Sequence, residues 1–528
     1  MTDTRSCGAC LSDTARRLPH KTALIYNALS YTWGEVDAIV SALAFRMRQR
    51  GVGPGTHVGI WSVNSPNWVF TFLACCRLGA LPIPINTACK TEELCRLLNY
   101  AEVRFLCYGK GHKDLLYEPA VARTKERCPL LRELISISEE GEQYSLASFT
   151  PAERSREAVE TVLQAQSLVR SDDTAVILFT SGTTSDAKGV MLTHGNLVNT
   201  ALATRKAMRW QEDDILCVPL ALFHCFGLTS SLLSCIAGGM TLCLLPQFRP
   251  VPVMEAIERH RCTVFNGVPT LFLALIRNRH FGEYKLGSLR SGIIAGSAIY
   301  PRDMEQLRTL LPSLTLIPSY GLTETSPAVT FADWEESPAV RAASSGKVLP
   351  GVELCIMDEQ GFPVPADTPG EIFVRGYNVM KGYYHRREET EATFWGPWLK
   401  TGDLGHMDAA GHLFVQGRKK ETINRGGENI APAEVEDAIR ALPWIEDAAV
   451  LGIPAPVIQE EVVACLIPTV PDQLREAEIR ARLKEQIADY KIPQRYFAFA
   501  DFPTTSSGKV KRSELKEEVL RRLGKADK

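Results

Sequence analysis

Residues 175–190 read Ala-Val-Ile-Leu-Phe-Thr-Ser-Gly-Thr-Thr-Ser-Asp-Ala-Lys-Gly-Val. The first six make an apolar run of strand length. From Thr180 to Gly189 the character changes: five hydroxyl side chains, two glycines and one lysine fall within ten residues. Glycines let backbone N–H groups come close to an anion, hydroxyls donate to phosphate oxygens, and Lys188 adds a point charge. A Walker A loop does not fit, because that motif needs a lysine after its second glycine and then Ser or Thr. Here Lys188 precedes Gly189 and Val190 follows. A strand running into a phosphate-binding loop is expected, with a plain polar connection as the alternative.

Outward from this loop, helical and strand-like segments alternate. Val36, Ile39, Val40, Leu43 and Met47 recur at helical spacing over 34–50, and Gly-Val-Gly-Pro-Gly at 51–55 turns the chain into the strand-like run His57–Val63. Ile-Leu-Cys-Val-Pro-Leu at 215–220, Thr-Leu-Cys-Leu-Leu-Pro at 241–246, Thr-Val-Phe-Asn-Gly-Val at 263–268 and Ser-Gly-Ile-Ile-Ala-Gly at 291–296 continue the rhythm. Strands alternating with helices predict an α/β fold of mostly parallel, helix-covered sheets. Shorter strands with turn glycines from about residue 346 predict a small β-rich subdomain. A polar stretch after Gly417 then leads into an α+β pattern. The expected domains are 1–417 and 418–528. The last helix carries Leu515, Val519 and Leu523 on one face and is expected to stop near Gly524.

The 528 residues carry a net charge of −2. No basic field exists to attract nucleic acid, so a small molecule held by local charges is the expected partner. The 15 cysteines are scattered, many in apolar runs. They read as reduced core residues of a cytoplasmic protein. Cys7 and Cys10 form a CxxC with no second ligand pair at zinc spacing, and are expected to be incidental on a loose N-terminus. No secretory signal or membrane span is expected. Nothing in the sequence indicates an oligomeric state.

Phe-Thr-Ser-Gly-Thr-Thr-Ser-Asp-Ala-Lys-Gly-Val at 179–190 resembles the signature loop of the adenylate-forming superfamily, which includes acyl-CoA synthetases, luciferases and peptide-synthetase adenylation domains. Ser185 and Ala187 replace its usual glycine and proline. The resemblance continues in order along nearly the whole chain. Leu-Ala-Leu-Phe-His-Cys-Phe-Gly at 220–227 is similar to the family's aromatic gate, and Gly-Val-Pro-Thr-Leu-Phe at 267–272 to its acyl-pocket wall. Ala295-Gly296-Ser297-Ala298-Ile299 is similar to the segment beside adenine. Tyr320-Gly321-Leu322-Thr323-Glu324 resembles the adenine and magnesium motif, and Trp398–Asp403 the ribose motif. Gly417-Arg418-Lys419-Lys420 resembles the interdomain hinge, and Arg425-Gly426-Gly427-Glu428-Asn429 the loop by the pantetheine tunnel. The segment Pro503–Arg512 resembles the last motif, with its lysine at Lys509. Gln459 stands where the family often has glycine.

The resemblance implies a roster of roles. Thr180, Ser181, Gly182, Thr183, Thr184 and Lys188 would hold the β- and γ-phosphates of ATP. Gly296, Ser297, Ala298, Tyr320 and Gly321 would border adenine, and Asp403 and Arg418 the ribose. Glu324 would bind Mg²⁺, Thr323 an α-phosphate oxygen, and His224 would line the carboxylate site. Lys509 would be the catalytic lysine, Lys420 the pivot, and Gly426 and Gly427 the passage for coenzyme A. Taken singly, His224 between aromatic neighbours also reads as a core histidine, and Lys509 as a solvated one. The implied reaction is an AMP-forming acyl-CoA ligation. A carboxylic acid attacks ATP to give an acyl-adenylate and pyrophosphate; the small, mobile C-terminal domain then rotates, and coenzyme A takes the acyl group. An apolar aliphatic acid of medium or long chain is expected, because no charge appears in the pocket segments, with aryl and steroidal acids as alternatives. Loading of a carrier-protein thiol, a luciferase-like oxidation and an inactive binding protein are the alternatives. The absence of a carboxylate beside Phe223-His224-Cys225-Phe226 disfavours amino acids.

Overall fold

The computed structural model describes residues 2–112, 117–137, 146–180, 188–297, 299, 301–425, 428–455, 459–470, 474–505 and 509–526. Five sheets organise them. The largest has nine strands. Its centre is parallel: Ile215–Val218, Thr241–Leu244, Val264–Phe265, Ser291–Ala295 and Thr315–Tyr320. These strands are apolar almost without alternation because helices cover both faces. Every residue of Thr241–Leu244 is buried. A second parallel sheet holds Leu81–Pro84, His57–Trp61, Phe105–Tyr108 and Glu133–Ser136. The helix expected over 34–50 spans Trp33–Gln49, and Thr32 and Glu35 close a capping box at its start.

The strand that opens the phosphate loop departs from the parallel pattern. Thr174–Thr180 pairs antiparallel with Lys188–Thr193, with Thr180 opposite Lys188. A parallel return needs a crossover of about a dozen residues or more, and the 181–187 connection is too short for one. Gly382–Tyr383 adds to the other side of Lys188–Thr193, so Tyr383 lies opposite Val190.

The β-rich unit is an antiparallel sheet of Val352–Met357, Gly370–Gly376, Trp398–Met407, Leu413–Arg418 and Phe394–Trp395. Leu413–Arg418 belongs to this sheet, whereas Ile423–Arg425 begins the last one. That final sheet packs with the helices Pro432–Arg440, Glu476–Lys484 and Arg512–Ala526.

One local expectation is corrected. Cys7 and Cys10 are buried in the helix Cys7–Arg17, which Ser6 caps, and do not sit on a loose terminus. Cys7 meets Cys76 and His194, whose ligand atoms lie within 4.8 Å of one another. The Cys7 N–H donates to His194 Nδ1 at 3.2 Å. That bond occupies the Nδ1 lone pair, and we read the trio as core packing. The terminal helix runs past Gly524 to Ala526, with Leu515 and Val519 buried. Gln459 takes a φ of +64°, the left-handed region that accounts for glycine at this position in the family.

Candidate active site

One cavity of about 470 Å³ lies where the two parallel sheets present their carboxyl ends. Its wall comes from residues just past those ends: Pro219, Pro246, Gly296 and Gly321 from the large sheet, Asn64 and His112 from the smaller one. Open α/β sheets bind ligands in this place, because the strand-to-helix turns there are free to vary. Most of the wall is apolar, through Phe223, Phe226, Phe248, Val268, Leu271 and Ala295. Phe272, expected in this wall, is instead core, packed edge-on against Phe265. Gly321 is required by space: a Cβ there would sit 1.7 Å from the Pro327 carbonyl oxygen.

His224 lines the cavity at the head of the π-helix Phe226–Leu233, a wide helical turn of a kind common at functional sites. Burial, helped by the Lys509 charge, pushes its pKa down to about 4. The imidazole is therefore neutral at physiological pH, and its buried Nε2 has no hydrogen-bond partner. Thr323 and Glu324 occupy the short turn Thr323–Thr325. The Thr323 hydroxyl meets Cys225 Sγ at 3.5 Å. Glu324 Oε1 accepts from the Tyr383 hydroxyl at 2.9 Å.

Asp403, buried, faces Arg418 across the antiparallel ladder, and their side chains meet at 3.3 Å. The Tyr320 hydroxyl donates to the other carboxylate oxygen at 2.7 Å. Burial raises the Asp403 pKa against the pull of Arg418, and raises the Tyr320 pKa well above its ordinary value. Lys509 reaches the same cavity from the C-terminal sheet's side. As a residue it is exposed. Desolvation of its ammonium, then the Arg418 guanidinium, lower its pKa, and Cys225 and Asp403 only partly offset this.

On the phosphate side, Thr180 ends its strand and Lys188 begins the next. Lys188 Nζ lies 2.6 Å from Glu389 Oε2 and 4.8 Å from the centre of the Tyr383 ring. The structure thus brings His224, Gly296, Gly321, Thr323 and Lys509 around one cavity, with Tyr320, Asp403 and Arg418 beside it. Ser297 and Lys420 are exposed. Ser181, Gly182, Thr183, Thr184, Ala298, Gly426 and Gly427 lie outside the described residues.

A family model for AMP-binding enzymes matches residues 11–384, and one for their C-terminal domain matches 434–509. The chain belongs to the AMP-binding enzyme family. Among curated relatives of this AMP-binding enzyme, YngI of Bacillus subtilis (strain 168), which bears an acyl-CoA synthetase name, is 33% identical over 97% of each chain. The mitochondrial medium-chain acyl-CoA ligase ACSF2 of Macaca fascicularis is 31% identical, covering 98% of this chain and 88% of that one. The ATP-bound structure of MatB from Rhodopseudomonas palustris superimposes with a TM-score of 0.85 at 26% identity, covering 97% of this chain and 99% of that one.

Two residues of the site escaped the sequence reading. Tyr383 stands in none of the motifs described above, yet it touches both Glu324 and Lys188. Glu389 sits in the charged run Arg386–Glu391, which reads as a solvated helix face. No signal short of the strand pairing that places Gly382–Tyr383 beside Lys188–Thr193 could have found them.

Proposed function

We propose that this AMP-binding enzyme is an AMP-forming acyl-CoA ligase for an aliphatic acid of medium or long chain. The observation that carries the reading is the continuity of one cavity from an apolar wall to Thr323, Gly321 and Lys509. An apolar chain would lie against Phe223, Phe226, Val268 and Leu271, with its carboxylate toward His224 and Lys509. The medium-chain activity in the name of the macaque relative supports this chain class.

Adenylation depends on positioning and on neutralising negative charge that spreads as pyrophosphate leaves. Lys509 is proposed to approach the carboxylate and α-phosphate, with Thr323 donating to an α-phosphate oxygen. Neutral His224 would line the carboxylate site without adding charge. Asp403 would accept the ribose hydroxyls beside Tyr320, which stacks on adenine. Lys188 and Thr180, with the loop 181–187, would take the β- and γ-phosphates. The Glu324 carboxylate suits Mg²⁺, a hard cation held by one or two carboxylates plus substrate phosphates, and the ion would neutralise phosphate charge. In the second half-reaction, residues 418–528 are proposed to turn about Arg418–Lys420. Lys509 would withdraw, and Gly426 and Gly427 would admit the thiol of coenzyme A. A thiol of pKa about 8.5 is partly ionised near neutrality, so no dedicated base is needed.

All fifteen cysteines are unpaired, which supports a reducing compartment, and we propose the cytoplasm. Among the described residues, no helix is long and apolar enough to cross a membrane.

The test is ATP–pyrophosphate exchange over a panel of fatty, aryl and dicarboxylic acids, followed by AMP release with coenzyme A or a phosphopantetheinyl carrier as acceptor. Exchange that peaks with medium or long aliphatic acids, and AMP release with coenzyme A, is expected. A protein that binds ATP but exchanges with no acid overturns the reading.

A further inference from the structure

We propose that Glu389 is a positioning residue that holds the Lys188 ammonium over the Tyr383 ring until the phosphates of ATP displace it. The proposal rests on Lys188 being a phosphate ligand, and it adds a competitor built into the protein for that ligand.

The geometry comes from the small antiparallel sheet. Gly382–Tyr383 pairs with Lys188–Thr193, and the helix Arg387–Thr393 follows closely in the chain. That turn brings Glu389 back over the start of the neighbouring strand. Its Oε2 lies 2.6 Å from Lys188 Nζ, and its Oε1 lies 3.1 Å from Arg386 Nη1. The carboxylate is therefore held from one side while it binds the lysine from the other. The Lys188 cation also rests 4.8 Å from the Tyr383 ring centre, and the hydroxyl of that tyrosine donates to Glu324. Glu389, Lys188, Tyr383 and Glu324 thus form one chain of contacts from the helix to the expected magnesium ligand. Lys188 holds the Glu389 carboxyl below its ordinary pKa, so the carboxylate is ionised at neutral pH.

This pair is suited to exchange. Its side chains are 38% and 35% exposed, and ion pairs so open to water contribute little. A polyphosphate carries several negative charges and bonds a lysine more strongly than one carboxylate does. ATP therefore draws Lys188 away from Glu389. As pyrophosphate leaves, Glu389 takes the lysine back and lowers the affinity for that product. The carboxylate sets how tightly both phosphate species are held and takes no part in bond making.

Calorimetric titration with Mg-ATP and with inorganic pyrophosphate tests this without knowledge of the acid. Glu389→Gln is expected to tighten both dissociation constants by about two- to fivefold, the range for an exposed ion pair. Tightening is a readout that mere structural damage does not produce. Glu389→Asp should restore values near those of the parent, and in a Lys188→Met background Glu389→Gln should have no effect. Unchanged or weakened binding in Glu389→Gln, with Lys188→Met weakening ATP binding, overturns the proposal and leaves the Lys188 reading intact. Unchanged ATP binding in Lys188→Met overturns both.

Discussion

Two lysines carry proposed roles at the nucleotide, and the protein surrounds them in opposite ways. Lys188 is half-exposed and has a carboxylate in contact, with a tyrosine ring beneath it. Among the described residues, no carboxylate lies within ion-pair distance of Lys509. Its ammonium is desolvated, and the strongest charge acting on it is that of Arg418, another cation. The first lysine's charge is already answered and can be traded. The second has no such partner among the described residues, and a phosphate or carboxylate oxygen would supply one. Electrostatic stabilisation is largest where a preorganised charge meets developing charge away from water. The contrast fits the division of labour proposed above, with Lys188 on the ground-state phosphates and Lys509 on the transition state.

The contrast breaks most visibly at Lys509. Lys509→Ala is expected to slow ATP–pyrophosphate exchange by roughly 10²–10³-fold, the range for loss of one preorganised group at a developing charge. Thioester formation from supplied acyl-adenylate should survive largely intact. Equal loss in both half-reactions would falsify the division. Alkaline pH is a second probe of the same group. Lys509 acts as a cation, and its pKa lies below the ordinary 10.5, so its charge is lost earlier as pH rises. Exchange should fall about tenfold per pH unit on an alkaline limb that lies below pH 10.5 and disappears in Lys509→Ala. His224, neutral above a pKa of about 4, should add no limb near 6.5. An acid limb at 6.5 that vanishes in His224→Ala would show that its burial has been misread.

The ribose corner sharpens the contrast at a smaller scale. Asp403 is already bonded by Tyr320 and Arg418, so the ribose site proposed above would be preformed. Asp403→Ala leaves the Tyr320 hydroxyl without its acceptor, at a cost of about 1–3 kcal/mol. If the ribose hydroxyls lose a comparable interaction, the KM for ATP should rise by about fivefold to about a hundredfold. A change under twofold would mean that Asp403 serves the ladder with Leu413–Arg418 and not the nucleotide.

How far the sequence could be read follows the same divide. Lys509, Thr323, Glu324 and Asp403 stand in motifs whose residue types carry their chemistry within a few positions. The strands around the cavity were legible because continuous apolar runs of strand length, separated by helical spacing, leave few folds to choose from. The phosphate side was half hidden. Lys188 was named, but its partner lies 201 residues away in a run of arginines and glutamates, where each charge finds local solvent or a helical neighbour. The Tyr383–Glu324 contact spans 59 residues and joins the strand Gly382–Tyr383 to the turn Thr323–Thr325. Such pairs exist only once sheet register is set, and register is not local information. The buried helix Cys7–Arg17 was missed for a related reason. Its capping serine and spacing are weak signals, and its stability comes from packing on chain far downstream, including His194.

The smallest expected effect concerns what holds Lys509 in place. Among the described residues, the polar contacts between the part that follows Arg418 and the body of the protein include Lys419 Nζ to Glu371 Oε2 at 3.0 Å and two weaker ones. Arg277 Nη1 meets Glu446 Oε1 at 3.3 Å, and Arg302 Nη1 donates to the Arg440 carbonyl at 3.3 Å. Arg277 and Glu446 are 43% and 51% exposed, so their pair contributes at most about 1 kcal/mol. A contact that weak suits a lobe proposed to leave this position once in every turnover, since a strong latch would stall the second half-reaction. Glu446→Ala should therefore lower the exchange rate relative to thioester formation by no more than about fivefold, and the difference should shrink as salt is raised. A larger loss, or one insensitive to salt, would mean that Glu446 does more than steady the lobe that brings Lys509 to the cleft.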